Sequence, residues 1–280
     1  MFNAVKVAAI SLKPTKWDKA GNADKMEAFF VAAAREEPQV ILATEGALEG
    51  YVVMDVVEGR APPEALLEIA EPIDGPFVRR FQRLAKTLHT SLCFGFAERV
   101  APDQVYNCAL FVDDDGEICG KYHKVQLAEG THPSWFFNRV GGTIRAFDTP
   151  IGRAGILICN DRWNPLIAHT LVLDGARVLL IPSYGTKTRN QNEAVLAPAR
   201  ENGVPIVEAN VGMNLIISKG EIVAYKWGND QITTGTIEIP EPPAPEAARR
   251  SEQAYLRQQG PEMQRRYEKT VARLEQGGTR

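Results

Sequence analysis

The segment Ile156–Pro165 reads ILICNDRWNP, an apolar run that reaches Cys159 and passes at once into Asn160, Asp161 and Arg162. A packing cysteine prefers the middle of an apolar run, where its thiol serves as a small hydrophobe. A reactive cysteine needs a rigid mount, partial exposure and neighbours that favour the thiolate. For a lone thiol where a buried strand breaks into a polar loop, the sequence before and after decides between the two. What surrounds this strand decides the fold, and what stands at the ends of its neighbours decides the chemistry.

Working outward, short apolar runs alternate with helical patterns. VKVAAISL (5–12), QVILAT (39–44), SLCFGFAE (91–98), NCALFV (107–112), RAGILICN (153–160), VLLIPS (178–183), PIVEANV (205–211), NLIIS (214–218) and EIVAYK (221–226) read as strands. GEICGKYHKVQL adds a further strand between a turn and a loop. Met26, Phe29, Phe30 and Ala33 share one helical face, closed by Pro38, and Phe77, Phe81, Leu84 and Leu88 repeat the pattern. Segments 164–175 and 188–202 are further helix candidates, the latter stopped by Asn202-Gly203. DDDG (113–116) and SKG (218–220) read as hairpin turns. Crossovers mixed with hairpins predict an α/β layered domain rather than a plain doubly wound sheet.

Two parts are expected: a domain over 1–240, then a proline-rich linker, PEPPAPEAARR (240–250), leading into a charged, helix-forming tail to residue 280. With 280 residues, 44% of them hydrophobic and 24% charged, at a net charge of −3, the chain can bury a full core and gives no reason to expect nucleic acid or an anionic membrane as a partner. The start MFNAVKVAAI lacks the pattern of a secretory leader, and no apolar run approaches the ~20 residues of a membrane helix. The expectation is a reduced, cytoplasmic protein. Cysteines 93, 108, 119 and 159 show no CxxC pairing and histidines 89, 123, 132 and 169 no HxxxH or HExxH spacing, so neither disulfides nor a metal is expected.

A nucleophilic cysteine requires a base for its proton and a donor for the developing oxyanion. GxSxG, a P-loop and a strand-borne GxGxxG are all absent from the sequence. No histidine stands in a privileged place, so carboxylates at strand ends are the next candidates. Glu45 follows QVILAT directly, at the rim where α/β sheets gather their sites. Lys124 ends GKYHK in a similar position. Either could alone be a solvated end residue.

Taken together, Glu45, then Lys124, then Cys159 in GxxICxD resemble the nitrilase superfamily of carbon–nitrogen hydrolases. The resemblance runs over roughly residues 5–240 and includes EGALEGY, YNCALFVDDDGEICGKYHKVQL, RAFDTPIGRAGILICND and ARENGVPIVEAN. It implies a four-layer α-β-β-α sandwich, a homodimer or larger assembly, no cofactor, and hydrolysis of a small-molecule amide or N-carbamoyl C–N bond through a thioester. In that scheme Glu45 is the base, Cys159 the nucleophile, and Lys124 with the backbone N–H of Asn160 holds the oxyanion. Two other readings share the pattern: a nitrilase acting on C≡N, and a catalytically silent binding protein of the same fold. Many members carry a second glutamate beyond the lysine. Glu129 is the nearest match, with a solvated loop residue as the other reading. Thr44 stands where the family usually has proline. The CNDR stretch is similar to that of N-carbamoyl-D-amino-acid amidohydrolases, whose arginines grip a substrate carboxylate. This makes Arg162, with Trp163 beside it, a candidate substrate-binding element. The other reading of Arg162 is a loop-holding ion pair.

Overall fold

The computed structural model describes residues 3–185, 189–242 and 245–277. The strands are β1 (Asn3–Ile10), β2 (Val40–Leu42), β3 (Ser91–Ala101), β4 (Gln104–Val112), β5 (Ile118–His123), β6 (Ala154–Ile156), β7 (Val178–Ser183), β8 (Ile206–Asn210), β9 (Met213–Ser218), β10 (Glu221–Trp227) and β11 (Ile232–Ile239). The helices are α1 (Lys19–Ala34), α2 (Val53–Val57), α3 (Pro63–Ile69), α4 (Pro76–Leu88), α5 (Pro165–Leu173), α6 (Arg189–Asn202) and α7 (Pro245–Gly277), with a single 3-10 turn over Cys159–Trp163.

One sheet has the order β11-β1-β2-β3-β4-β5 and the other β10-β9-β8-β7-β6. Each has a parallel centre, β1-β2-β3 in one and β6-β7-β8 in the other, extended by antiparallel hairpins. The strands were read as apolar runs because three separate hydrophobic layers consume them. Val7, Leu42, Cys93 and Phe111 from the first sheet meet Ile156, Leu180, Val207 and Ile216 from the second, face to face. Ile10, Ile41, Phe94 and Leu110 pack outward beneath Met26 and Phe30 of α1 and Phe81 of α4. Leu179, Ile206 and Leu215 pack outward beneath Ile167 and Leu171 of α5 and Val195 and Ala199 of α6. Two stacked sheets flanked by helices make the α-β-β-α sandwich.

Several boundaries differ from the sequence reading. β2 and β6 are three residues each, because the chain leaves regular pairing where it must turn toward the rim. Beyond β2 the backbone still follows β3, with Ala43 N–H bonding Cys93 O, Gly95 N–H bonding Thr44 O and Ala47 N–H bonding Gly95 O. β11, which the sequence reading lacked, pairs antiparallel with β1 along its whole length. Helices α2 and α3 were also not foreseen; they carry a small cluster of Val52, Val56, Leu66 and Phe137. α6 ends at Asn202 as expected, with Gly203 at φ +66; residue 188 of that segment lies outside the described residues.

The chain divides into two compact units, Met1–Pro240 and Glu241–Arg280. In the second, α7 starts at Pro245, inside the stretch read as linker. Proline is well tolerated in a first helical turn, where its missing N–H would have no partner. Among the described residues no helix is long and apolar enough to cross a membrane.

Candidate active site

Glu45, Lys124 and Cys159 come from three different strand ends and meet at one rim. Glu45 and Lys124 are fully buried and Cys159 is 6% exposed. Lys124 Nζ donates to Glu45 Oε1 at 2.7 Å. The same oxygen accepts from Asn107 Nδ2 at 2.7 Å, and Oε2 accepts from the backbone N–H of Tyr184 at 2.9 Å. Asn107 also fixes the lysine, since its carbonyl accepts the Lys124 N–H at 2.9 Å. GKYHK holds two lysines, and burial separates them: Lys121 lies at the surface on Glu98, 2.8 Å away.

Glu45 needs close backbone approach to sit there. A Cβ on Gly95 would come within 2.7 Å of the Glu45 Cα and 3.0 Å of the Thr44 carbonyl oxygen, so only glycine on β3 leaves room for this turn.

Cys159 opens the 3-10 turn at φ +46. A non-glycine residue in that left-handed region costs about 1–3 kcal/mol and persists only where its surroundings hold it. Asp161 supplies the hold. Its Oδ2 accepts from the Ile158 N–H at 2.9 Å and the Tyr122 hydroxyl at 2.9 Å, and its Oδ1 accepts from the Gln126 N–H at 2.8 Å. Asn160 is tied to Gln126 by two bonds, Gln126 Nε2 to Asn160 O at 3.1 Å and Asn160 Nδ2 to Gln126 O at 3.3 Å. The loop after Lys124 is thereby fastened to the cysteine turn.

The electrostatics of these groups are coupled. Burial pushes the Cys159 thiol up to about 12; the charge of Glu45 adds to this, while Lys124, Arg162 and the Tyr184 backbone pull it down. A resting thiol in this environment is neutral and needs a base. Burial works against the Lys124 ammonium, but Glu45, together with the Cys159 and Asp161 charges, holds it above its ordinary range.

Glu129 lies in the same cluster. The Tyr51 hydroxyl hydrogen-bonds its Oε1, and its Oε2 is buried. Burial, then the charge of Glu45, push its carboxyl up to about 7. The Tyr51 ring lies 5.8 Å from the Lys124 ammonium and stacks on Tyr184 at 4.8 Å. The solvated reading of Glu129 therefore does not hold. Arg162 is buried too: its guanidinium pairs with fully buried Glu208 and donates to Ser183 Oγ at 2.9 Å. Both partners hold the fork in the interior, which is the loop-holding arrangement. Trp163 is 54% exposed.

Sequence reasoning missed Asn107, Tyr51, Tyr184, Ser183 and Glu208. A charge in the middle of the apolar run PIVEANV was a signal for Glu208; the others carry no local mark. All four cysteines are free, with Cys93 and Cys108 fully buried. Among the described residues, Glu98, Cys108 and His123 place potential metal-ligating atoms within 4.8 Å of one another. Glu98 is already engaged by Lys121 and His123, so the group reads as an ionic network at the edge of β5.

Two helix-flanked sheets stacked in this way, with a turn-mounted thiol at the rim, define the architecture of the nitrilase superfamily. A family model described as carbon-nitrogen hydrolase matches residues 6–238, and the chain belongs to that family. It is a carbon–nitrogen hydrolase. N-carbamoylputrescine amidase of Solanum lycopersicum is 31% identical over 241 residues, covering 82% of this chain and 76% of that protein. Citrullinase of Francisella tularensis is 26% identical over 245 residues, covering 83% and 82%. Among solved structures, an amidase from Nesterenkonia sp. AN1, with the acetamide moiety of fluoroacetamide added covalently at its active site cysteine, superposes with a TM-score of 0.69 at 19% identity, covering 84% of this chain and 90% of that one. A branch 10 nitrilase-superfamily protein from Saccharomyces cerevisiae gives 0.71 at 20% identity, covering 90% and 94%.

Proposed function

We propose that the protein hydrolyses a small amide or N-carbamoyl compound, with Cys159 as nucleophile, Glu45 as general base and acid, and Lys124 with the Asn160 N–H as oxyanion donors. The observation that carries this reading is the fully buried Glu45–Lys124 pair beside the buried Cys159 thiol on a left-handed turn. Glu45 takes the thiol proton as sulfur attacks the carbonyl carbon. The oxygen of the tetrahedral adduct becomes negative beside the Lys124 ammonium, which is already in place and costs no reorganisation. The adduct collapses by expelling the nitrogen, which leaves as ammonia or an amine with the proton held by Glu45. A water then gives its proton to Glu45 and attacks the thioester, returning the thiol. Glu129 belongs to this site as a neighbour that orients the lysine side through Tyr51.

The relatives' substrates, N-carbamoylputrescine and citrulline, carry ureido groups, which supports the carbamoyl branch of the reading. A substrate carboxylate is less well served, because Arg162 is engaged by Glu208 and Ser183. Ammonia release from N-carbamoylputrescine, citrulline, N-carbamoyl amino acids, aliphatic amides and nitriles, with wild type and Cys159→Ala, tests the scheme. A thioester adduct on Cys159, seen by intact mass, is the expected result. Turnover by Cys159→Ala, or label only on Cys93, Cys108 or Cys119, would overturn it.

A homodimer or larger assembly completes the proposal. After the cysteine turn, Leu166 and Leu173 of α5, seven residues apart on one face of the helix, are 68% and 75% exposed, a face that a second subunit would cover. The tail, 241–280, is assigned to subunit contacts. Light scattering on a chain ending at Ile239 tests this, and an unchanged oligomer would refute it. A reducing compartment, the cytoplasm, suits four free thiols.

A further inference from the structure

We infer that Arg162 is a catalytic residue that stabilises the Cys159 thiolate, a buried guanidinium clamped by Glu208 and Ser183 so that its free edge lies against the sulfur. The inference rests on Cys159 being the nucleophile and deepens that reading by giving it a second cation. The geometry carries it. Arg162 Nη1 pairs with Glu208 on β8 and donates to Ser183 Oγ, at the end of β7, at 2.9 Å. Nη2 of the same fork lies 3.9 Å from Cys159 Sγ, within donor reach of a sulfur. The side chain is 3% exposed and that of Glu208 0%.

A planar fork suits this task where an ammonium would not. It keeps its charge in the interior and spans two acceptors on adjacent strands while presenting another N–H to the sulfur. Lys124 cannot do the whole work, because Glu45 already occupies it at 2.7 Å. The charged groups that act on the sulfur are Glu45 at the end of β2, Lys124 after β5 and Arg162 in its own turn, with Glu208 on β8 held by Arg162 and Asp161 held by the backbone of the turn. Tyr122 lies behind Asp161, and Glu129 beyond Glu45. Of these, Glu45 disfavours the thiolate, while Lys124 and Arg162 favour it. When Glu45 takes the proton its own charge is neutralised, and the two cations are left to face the sulfur anion. Arg162 is therefore placed to act once the proton has moved.

The experiment is the pH profile of Cys159 alkylation by iodoacetamide, read by peptide mass, alongside steady-state kinetics. The variants are Arg162→Lys, Arg162→Gln and the double variant Arg162→Met/Glu208→Met. The double variant removes both charges and keeps the volume, a replacement that buried pairs often tolerate. Arg162→Lys is expected to keep the wild-type labelling rate at each pH but lose about tenfold in kcat with little change in KM. The double variant is expected to label about tenfold more slowly than wild type at every pH where the thiol is mostly neutral. If it does not fold, Arg162→Gln carries the same comparison, since Glu208 can take up a proton when its cation is gone. A folded charge-free variant with the wild-type profile would overturn the inference. So would a loss carried by KM alone, which would make Arg162 a substrate contact, or failure of all three variants to fold, which would make the pair one of stability only. Wild-type protein whose Cys159 resists labelling, with an active alanine variant, would instead sink the proposed function.

Discussion

Lys124 and Glu45 come from positions 79 residues apart and form a 2.7 Å ion pair from which solvent is excluded on both sides. Such a pair returns its desolvation cost only if the remaining lone pairs are used, and Asn107 and the Tyr184 N–H use them. Removing one partner leaves the other charge buried and alone. Lys124→Ala is therefore expected to lose about 3–5 kcal/mol in urea unfolding as well as its activity. Glu45→Gln keeps the size and loses proton transfer, costing on the order of 10²–10⁴ in kcat. Near-wild-type kcat in either variant would remove the assigned roles.

The approach of β3 to the Glu45 turn makes a second, purely steric prediction. Gly95→Ala puts a methyl 2.7 Å from the Glu45 Cα. The backbone must shift, and the carboxylate with it. Because a misplacement of about 1 Å can cost on the order of 10²-fold, kcat is expected to fall far more than stability does. Wild-type turnover in a folded Gly95→Ala protein would show that the turn has slack.

Two of the rim residues were legible in the sequence for a physical reason. Glu45 and Cys159 each follow a strand too apolar to lie anywhere but the interior, whereas Lys124 follows the polar edge strand β5 and stood out only through the family resemblance. β11 was not legible. In ITTGTIEI only Thr233, Ile237 and Ile239 are buried, Gly235 interrupts it, and it follows Gly228-Asn229-Asp230. Its β-branched content was the available signal. The partners of the rim residues were hidden by distance: Glu208 lies 46 residues beyond Arg162, and Asn107 62 beyond Glu45. Sequence patterns report burial; they do not report which buried groups meet.

Glu49, four residues after Glu45, gives a stability prediction with a definite sign. Its carboxyl is 5% exposed, accepts the Ala97 N–H at 2.9 Å, and is pushed up to about 7 mainly by burial. A raised folded value means the folded state holds a proton that the unfolded chain releases near the ordinary 4.5. The resulting stability is complete below about 4.5 and is lost as pH rises through about 7, a few kcal/mol at most. Asp55 acts in the opposite sense at lower pH: the Lys16 hydrogen bond, against burial, holds it at about 2, so its contribution is complete above about 3.8 and is lost as pH falls through about 2. Glu129, raised to about 7 as well, acts in the same window, so denaturation midpoints between pH 5 and 8 are expected to fall with rising pH in wild type, to fall less steeply in Glu49→Gln and to flatten in Glu49→Gln/Glu129→Gln. A slope that survives both substitutions would assign the dependence to another group.

Asp161 and Tyr122 separate holding the turn from doing the chemistry. Asp161 is fully buried and accepts three bonds, from the Ile158 and Gln126 N–H groups and the Tyr122 hydroxyl. Tyr122→Phe removes one donor and leaves the two that fix the backbone. The cost is that of one buried hydrogen bond, about 1–3 kcal/mol, and Cys159 keeps its turn. Asp161→Ala releases both N–H groups at once and leaves the Gln126 loop held to the cysteine turn only by the two Asn160–Gln126 bonds. Cys159 at φ +46 then loses the surroundings that impose that conformation, and relaxation carries the sulfur away from Glu45. Tyr122→Phe is expected to lower stability but keep kcat within about tenfold, while Asp161→Ala lowers kcat by on the order of 10² or more even where it folds. Unfolding curves and single-turnover acylation measured on the same samples decide it. Equal kcat losses in the two variants would show that the hydroxyl, and not the backbone clamp, governs the nucleophile.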